Sequence, residues 1–497
     1  MGETQDEKQK GVAAQAIRGS FFSVGASAVT LTLGFLRSVL LARLLLPEHF
    51  GVVALALFFV NLSGQLRALG LDRALLHRQA TSGPVYETYL ALKLVLVGGT
   101  TLLLILLAPV VARFYPNQPL LAPVMIALGL IAFLGALNQT QETLLGMTLN
   151  FKALALINVA SSVVMTVVAP WLAWQGWGAW SLVAEQGSGI LTRAALVWGP
   201  LRVVPPHLGF DPAITRGFWR YGRANWVGTN VGFLLNRFDD FWVGTALGQT
   251  PLGYYARAYE FARYPRRLVA NPLVSVLAPV FARLQDDRLH LSKAYFRLMS
   301  LLVRTGFLVG GLAVLLAPEF VFWVLGPKWL PMVRTFQLML IYVLLDPLLM
   351  TTSNLLLAVG FPEGLARARL GQLIFFLPAV ILGARWGGIE GVALAADGML
   401  VVGFVLLHRA VRRHVDYSLS RLFGWPVVGV ALGLVVVGFL VGLEGITHPQ
   451  VWSIAGLKAG VFALMLGGLV VGCEYRELTF MARSLWTSLR GRWLPAG

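Results

Sequence analysis

Cysteine is almost absent from this chain of 497 residues: there is one, Cys473. A lone thiol excludes an intramolecular disulfide and a cysteine-cluster metal site, and Cys473 reads as a small apolar filler. Charge is also scarce, at 13% of positions, and the 23 acidic residues are outnumbered by 40 lysines and arginines. There is no G-x-x-x-x-G-K-[ST] run to cradle a nucleotide and no H-E-x-x-H pair, and the seven histidines are scattered. The adjacent Asp239 and Asp240 have no acidic or histidine neighbours nearby in sequence, so no metal site and no cofactor are expected.

What is abundant is apolar sequence. Hydrophobic residues make up 57% of the chain and its mean hydropathy is +0.72, far above the soluble range. Stretches of about 20 apolar residues, enough to cross the hydrocarbon core, recur from Ser20 to Cys473. The expected fold is an all-α polytopic membrane protein of about fourteen transmembrane helices. The first stretch follows MGETQDEKQK without a convincing small-residue cleavage site, and is read as a retained helix.

Lysine and arginine accumulate in cytoplasmic loops, and here alternate loops are basic. One set holds Arg67, Arg73 and Arg78, then Arg193, Arg202 and Arg216, then the run from Arg263 to Lys293, next Arg367 and Arg369, then Arg409, Arg412, Arg413 and Arg421, and finally Arg476, Arg483, Arg490 and Arg492. The other set is poor in charge: FYPNQP beside Arg113, WQGWGAW at 174–180, Lys328 in GPKW, Arg385, and EGITHPQ at 444–450. Both termini are therefore expected on the cytoplasmic side. The net charge of +17 is then largely topological, with membrane lipids rather than nucleic acid as its partner. On this view Arg263–Arg267 and Arg409–Arg413 are mainly topological anchors. Trp171, Trp174, Trp177 and Trp180 form an interfacial belt on the opposite side.

The chain also repeats itself. Arg18-Gly19 aligns with Arg216-Gly217 and Gly34-Phe35-Leu36 with Gly232-Phe233-Leu234; beyond a four-residue insertion, Gly51 aligns with Gly253 and Phe59 with Phe261. Helices one and two thus match helices seven and eight, and an even spacing of six makes the repeats parallel. The expected organisation is a tail at 1–17, an N-lobe of six helices at 18–205, a C-lobe of six at 206–415, two further helices at 416–475, and a cytoplasmic tail at 476–497.

Within helix one, Ser23, Ser27, Thr30, Gly34 and Arg37 share one helical face; in helix seven Asn225, Thr229, Gly232, Asn236 and Asp239 follow the same intervals. Small and polar residues also serve helix packing, but a charge at the end of each stripe points to a polar lining. Arg37, Arg237, Thr30, Asn225, Thr229 and Asn236 are the candidate cargo-binding residues, because guanidinium holds phosphate through two hydrogen bonds. Arg43 points about 120° away from Arg37. Either it snorkels to the interface while Asp239 and Asp240 pair locally with Arg237, or it meets Asp239 or Asp240 as a gate. Asp346, Asp397, Glu185 and Gln186 are weaker polar candidates within spans.

Leu41 to Gly51 (LARLLLPEHFG) with Ala68-Leu69-Gly70-Leu71 resembles the N-terminal signature of bacterial polysaccharide-export flippases. So do Gly253-Tyr254-Tyr255-Ala256-Arg257-Ala258-Tyr259, Pro279-Val280-Phe281 before Leu284-Gln285-Asp286-Asp287, and Leu325-Gly326-Pro327-Lys328-Trp329. The resemblance is to the lipopolysaccharide and exopolysaccharide branch of the multidrug, oligosaccharidyl-lipid and polysaccharide exporter superfamily. It implies two six-helix lobes in a V, alternating access, and an undecaprenyl-pyrophosphate-linked oligosaccharide moved from the inner to the outer leaflet of the bacterial cytoplasmic membrane. It also implies the polymerase and chain-length machinery of polysaccharide assembly as partners. The alternatives are a lipid II flippase or a cation-coupled multidrug exporter of the same fold. A membrane glycosyltransferase or polymerase fits less well, since the outer loops are too short to carry a sizeable acidic domain.

Overall fold

A computed structural model describes residues 5–66, 83–203, 208–271, 274, 280–443, 456–464 and 466–468. Among these residues there are helices and turns but no strand, as expected where no water can satisfy an open sheet edge. Among the described residues, eight helices are long and apolar enough to cross a membrane, or nine if one bent pair is a single span, which fits an all-α polytopic membrane protein without confirming the count of about fourteen. The chain packs as two compact units, Met1–Ala256 and Arg257–Gly497.

The first unit begins with α1 (Gln5–Leu44), α2 (Pro47–Leu66), α3 (Gly83–Arg113), α4 (Leu121–Met147), α5 (Phe151–Trp174) and α6 (Ala179–Trp198). Each break has a local cause. Pro47 starts α2, Asn150 caps α5 by accepting from the Ala153 amide at 3.2 Å, and Gly176 and Gly178 take positive φ in the WQGWGAW turn. Trp171, Trp174 and Trp177 are exposed there. α1 packs on α5, α5 on α6, α4 on α6, and α2 on α4.

α7 (Pro212–Ala246) is capped by Asp211, which accepts from the Ala213 and Ile214 amides. It is long enough to span but too polar to be counted among the eight. It lies antiparallel along α2: Phe58 meets Phe241 at 4.8 Å and Phe233 at 5.6 Å between ring centroids, and the Trp226 indole donates to the Gln65 carbonyl at 3.1 Å. The first compact unit runs through this packing to Ala256. α8 (Gln249–Ala262) then crosses α2. A β-carbon on Gly51 would overlap the Gln249 carbonyl, and one on Gly253 would overlap the Pro47 carbonyl. Pro47 and Gln249 each stand four residues before those glycines, so the two crossings are related by the repeat.

The second unit continues through a π turn (Arg266–Ala270) to α9 (Arg288–Phe320), a second π turn (Val321–Leu325), a 3-10 turn (Pro327–Met332), α10 (Val333–Met339) and α11 (Ile341–Ala358). Pro265 and Pro318 lack the amide that would continue an α ladder, and a π turn follows each. Pro318 leaves the Val314 carbonyl without its helical donor; Gln337 of α10 donates to it at 3.0 Å. α12 (Pro362–Val411) is two helices joined at Gly388, whose φ of 55° breaks the ladder. Gly383 lies against Gly391, and Gln372 donates to the Met399 carbonyl at 3.2 Å, so the two halves form an antiparallel hairpin. α13 (Leu419–Leu443) packs on α9. The helical segment Gly456–Gly468 inserts Phe462 where only hydrogen occupies Gly311 and Gly433, and its Lys458 pairs with Glu319 at 2.6 Å.

Candidate functional site

Arg37, the charge at the end of the α1 stripe, is held inside the first unit. Its Nε donates to Glu185 Oε1 of α6 at 2.7 Å, and an Nη donates to Thr166 Oγ1 of α5 at 3.3 Å. The two ionised side chains are only 14% and 16% exposed. Glu185, a weaker candidate from sequence, is thus the counter-charge of the strongest one. A pair sequestered to this degree holds only when geometry and further hydrogen bonds offset the lost hydration. Thr166 contributes by donating in turn to the Ser162 carbonyl at 2.7 Å.

A second interhelical pair lies in the same unit. Arg193 of α6 donates to Glu142 of α4 at 2.9 Å and to Asn158 of α5 at 2.7 Å. Three helices are thereby tied at one point. Arg193 was read from sequence only as part of a basic loop.

The other stripe residues bond locally. Thr30 donates to the Ser27 carbonyl at 3.0 Å, and Asn236 to the Gly232 carbonyl at 2.6 Å. Thr229 is half-buried; Asn225 lies in α7, but its side chain falls outside the described residues. Arg237, 40% exposed, donates to Asp240 at 3.0 Å, one helical turn away. Asp239 is buried and accepts from the Tyr255 hydroxyl at 2.7 Å. Asp240 thus bonds within α7 and Asp239 bonds to α8, and Arg43 is exposed at the end of α1. Among the described residues no group of acidic, histidine or cysteine side chains is arranged to hold a metal ion.

The second unit holds a different balance of charge. Arg266, in the π turn, pairs with Asp346 of α11; both are 18% exposed. The same guanidinium donates to Asn271 and to the Tyr342 hydroxyl, each at 3.2 Å. Arg263 stacks on Tyr259 with its guanidinium carbon 5.2 Å from the ring centre, and its Nε is buried without an acceptor. Tyr259 meets Tyr342 edge to face at 5.7 Å. Arg263 and Arg369 of α12 are within electrostatic reach of Asp346. One guanidinium group thus pairs with this carboxylate directly, and two act on it only at longer range. The sequence alone does not place Asp346 beside the Arg263–Arg267 run: the acid lies far along the chain, and only packing brings it back.

A family model described as "Polysaccharide biosynthesis protein" matches residues 40–334. The lipopolysaccharide biosynthesis protein WzxC of Escherichia coli K12 is 24% identical over 86% of this chain and 88% of its own length. The succinoglycan biosynthesis transport protein ExoT of Rhizobium meliloti is 28% identical over 55% of each chain. Among solved structures, the lipid II flippase MurJ in an inward closed conformation aligns with a TM-score of 0.69 at 14% identity, covering 93% of this chain and all of MurJ. An inward-facing multidrug resistance MATE family transporter of the MOP superfamily aligns with a TM-score of 0.60 at 16% identity, covering 79% of this chain and 98% of its own.

Proposed function

The chain belongs to the polysaccharide biosynthesis protein family, and we propose on that basis that it is a flippase for polyprenyl-pyrophosphate-linked oligosaccharide. The cargo is an O-antigen or exopolysaccharide repeat unit, carried from the inner to the outer leaflet of the bacterial cytoplasmic membrane by alternating access. Both termini lie on the cytoplasmic side. The observation that carries this reading is the reciprocal crossing of α2 and α8, where Gly51 meets Gln249 and Gly253 meets Pro47. Repeat-related helix ends that touch backbone to backbone suit two halves that close one end of a path and part to open it.

The cargo assignment draws on the cations. Arg37 and Arg237, with Thr30, Asn225, Thr229 and Asn236, face the diphosphate, which competes with Glu185 and Asp240 for their guanidinium groups. Arg43 pairs with Asp239 or Asp240 to help close the outer gate while the path faces the cytoplasm, and separates from it when the path opens outward. Polymerase and chain-length proteins receive the product.

Reconstitution tests this. Proteoliposomes holding the purified chain should translocate a fluorescent polyprenyl-diphosphoryl sugar, measured by its loss of accessibility to an impermeant quencher. The MurJ-like fold makes lipid II the second cargo to assay. Movement of lipid II or of cationic drugs, without movement of the polysaccharide precursor, would replace this reading.

A further inference from the structure

We infer that Arg193, Glu142 and Asn158 form a saccharide-binding site in the first unit, which holds hydroxyl groups of the cargo's glycan. The inference rests on the flippase reading for its ligand, and adds a contact to the sugars where that reading assigns contacts to the diphosphate. Arg193 spends one N–H on Glu142 Oε1 and another on Asn158 Oδ1, which leaves donors to spare on its guanidinium fork. Among the described residues, Glu142 Oε2 and Asn158 Nδ2 make no hydrogen bond. Arg193 and Glu142 are 26% and 24% exposed, and Asn158 is exposed. Glu142 and Asn158 belong to α4 and α5, both apolar enough to span a membrane. Open donors and acceptors are costly against hydrocarbon, so this face borders water.

Charge decides the ligand class. One guanidinium against one carboxylate is neutral, so no charge remains here to match a phosphate. What remains is donors and an acceptor side by side, the arrangement that neighbouring hydroxyls of a sugar complete. The three groups come from three helices and brace one another, so the site is ordered before a ligand arrives. Its depth fits the same cargo. On α6, Glu185 and Arg193 are eight residues apart, a rise of about 12 Å. On α5, Thr166 bonds Arg37 and Asn158 bonds Arg193, again eight residues apart, so both helices set the same spacing. A diphosphate at Arg37 then leaves its first sugar short of the site and brings a later sugar onto it. Gln186 stands two turns before Arg193 on the same helical face, along the way between them.

The experiment measures binding to the full chain in phosphatidylcholine nanodiscs. The probes are farnesyl diphosphate, farnesyl-diphosphoryl-N-acetylglucosamine, and the farnesyl-diphosphoryl derivatives of triacetylchitotriose and maltotriose. In the parent the single sugar should add little to farnesyl diphosphate, and at least one trisaccharide should add about tenfold. The double variant Arg193→Gln/Glu142→Gln removes both charges together, so no lone ion is left behind. It should lose the trisaccharide gain and keep parental affinity for farnesyl diphosphate. Asn158→Ala should lose several-fold on the trisaccharide alone, and it carries the test if the double variant misfolds, since a site built to bond hydroxyls weakens with each partner removed. No gain from either trisaccharide overturns the site, and so does a gain already complete at the first sugar. Variants that keep the gain, or that weaken every probe equally as a purely structural bond would, overturn it too. Failure of the flippase reading looks different: the trisaccharide gain would depend on these residues, yet the parent would translocate no polysaccharide precursor in proteoliposomes. Translocation by a parent that gains nothing from the trisaccharides removes this site and leaves the flippase.

Discussion

Gly51 and Gly253 occupy equivalent places in the two repeats, and each lies against the backbone four residues before the other. Only hydrogen fits at either position. Substituting Gly51→Ala should push the first turns of α2 and α8 apart, and Gly253→Ala should do the same from the other side. Each is expected to cost about 1 to 3 kcal/mol of the closed arrangement, the usual penalty for overpacking. Because both changes act on one contact, the double variant should cost less than the sum. Disulfide trapping between cysteines placed at positions 47 and 249 reads the separation directly, and unchanged trapping in either variant would refute a closing role.

Val314 and Gln337 make a second test. The carbonyl freed by Pro318 is satisfied by the Gln337 amide, and an unsatisfied group costs most where water is scarce. Gln337→Leu should lower stability by about 1 kcal/mol, read as a shift in thermal midpoint in detergent. Pro318→Ala gives Val314 back a helical donor, so it should remove most of that loss when combined with Gln337→Leu. If the double variant is no more stable than Gln337→Leu alone, the bond is incidental.

Much of this architecture is legible locally. The turn at 174–180 needs positive φ at Gly176 and Gly178, and a left-handed Gly388 marks the hairpin tip beside Arg385. Glycine and proline announce such breaks because their backbone constraints are intrinsic. The pairing of charges is not local. Arg37 and Glu185 lie 148 residues apart, and their meeting follows from α1 packing on α5 and α5 on α6. The Arg266–Asp346 pair is hidden for the same reason. A basic run read mainly as topology cannot reveal that its three arginines, Arg263, Arg266 and Arg267, lie over tyrosine rings.

The exposed run Arg412-Arg413 offers the contrast to that cluster. Orientation depends on the summed bias of many loops, so a single Gln substitution here should leave transport within about twofold of the parent. Complete loss of transport from either change would move this segment from topology into the cargo path.

Arg37 and Glu185 allow structural and cargo roles to be separated. Removing either partner leaves the other charge in a site only about one-sixth exposed, so Arg37→Gln and Glu185→Gln should each destabilise the first unit by about 2 to 4 kcal/mol. The swapped double variant Arg37→Glu/Glu185→Arg re-forms an ion pair between the same helices and should recover most of the lost thermal midpoint. If the pair serves packing alone, transport returns along with stability. If Arg37 also meets the cargo's diphosphate, the swap presents a carboxylate where a guanidinium is needed, and transport should stay at least about tenfold below the parent while the fold recovers. Recovery of both would remove Arg37 from the cargo site. Recovery of stability without transport would keep it there, with Glu185 as the group that holds it between turnovers.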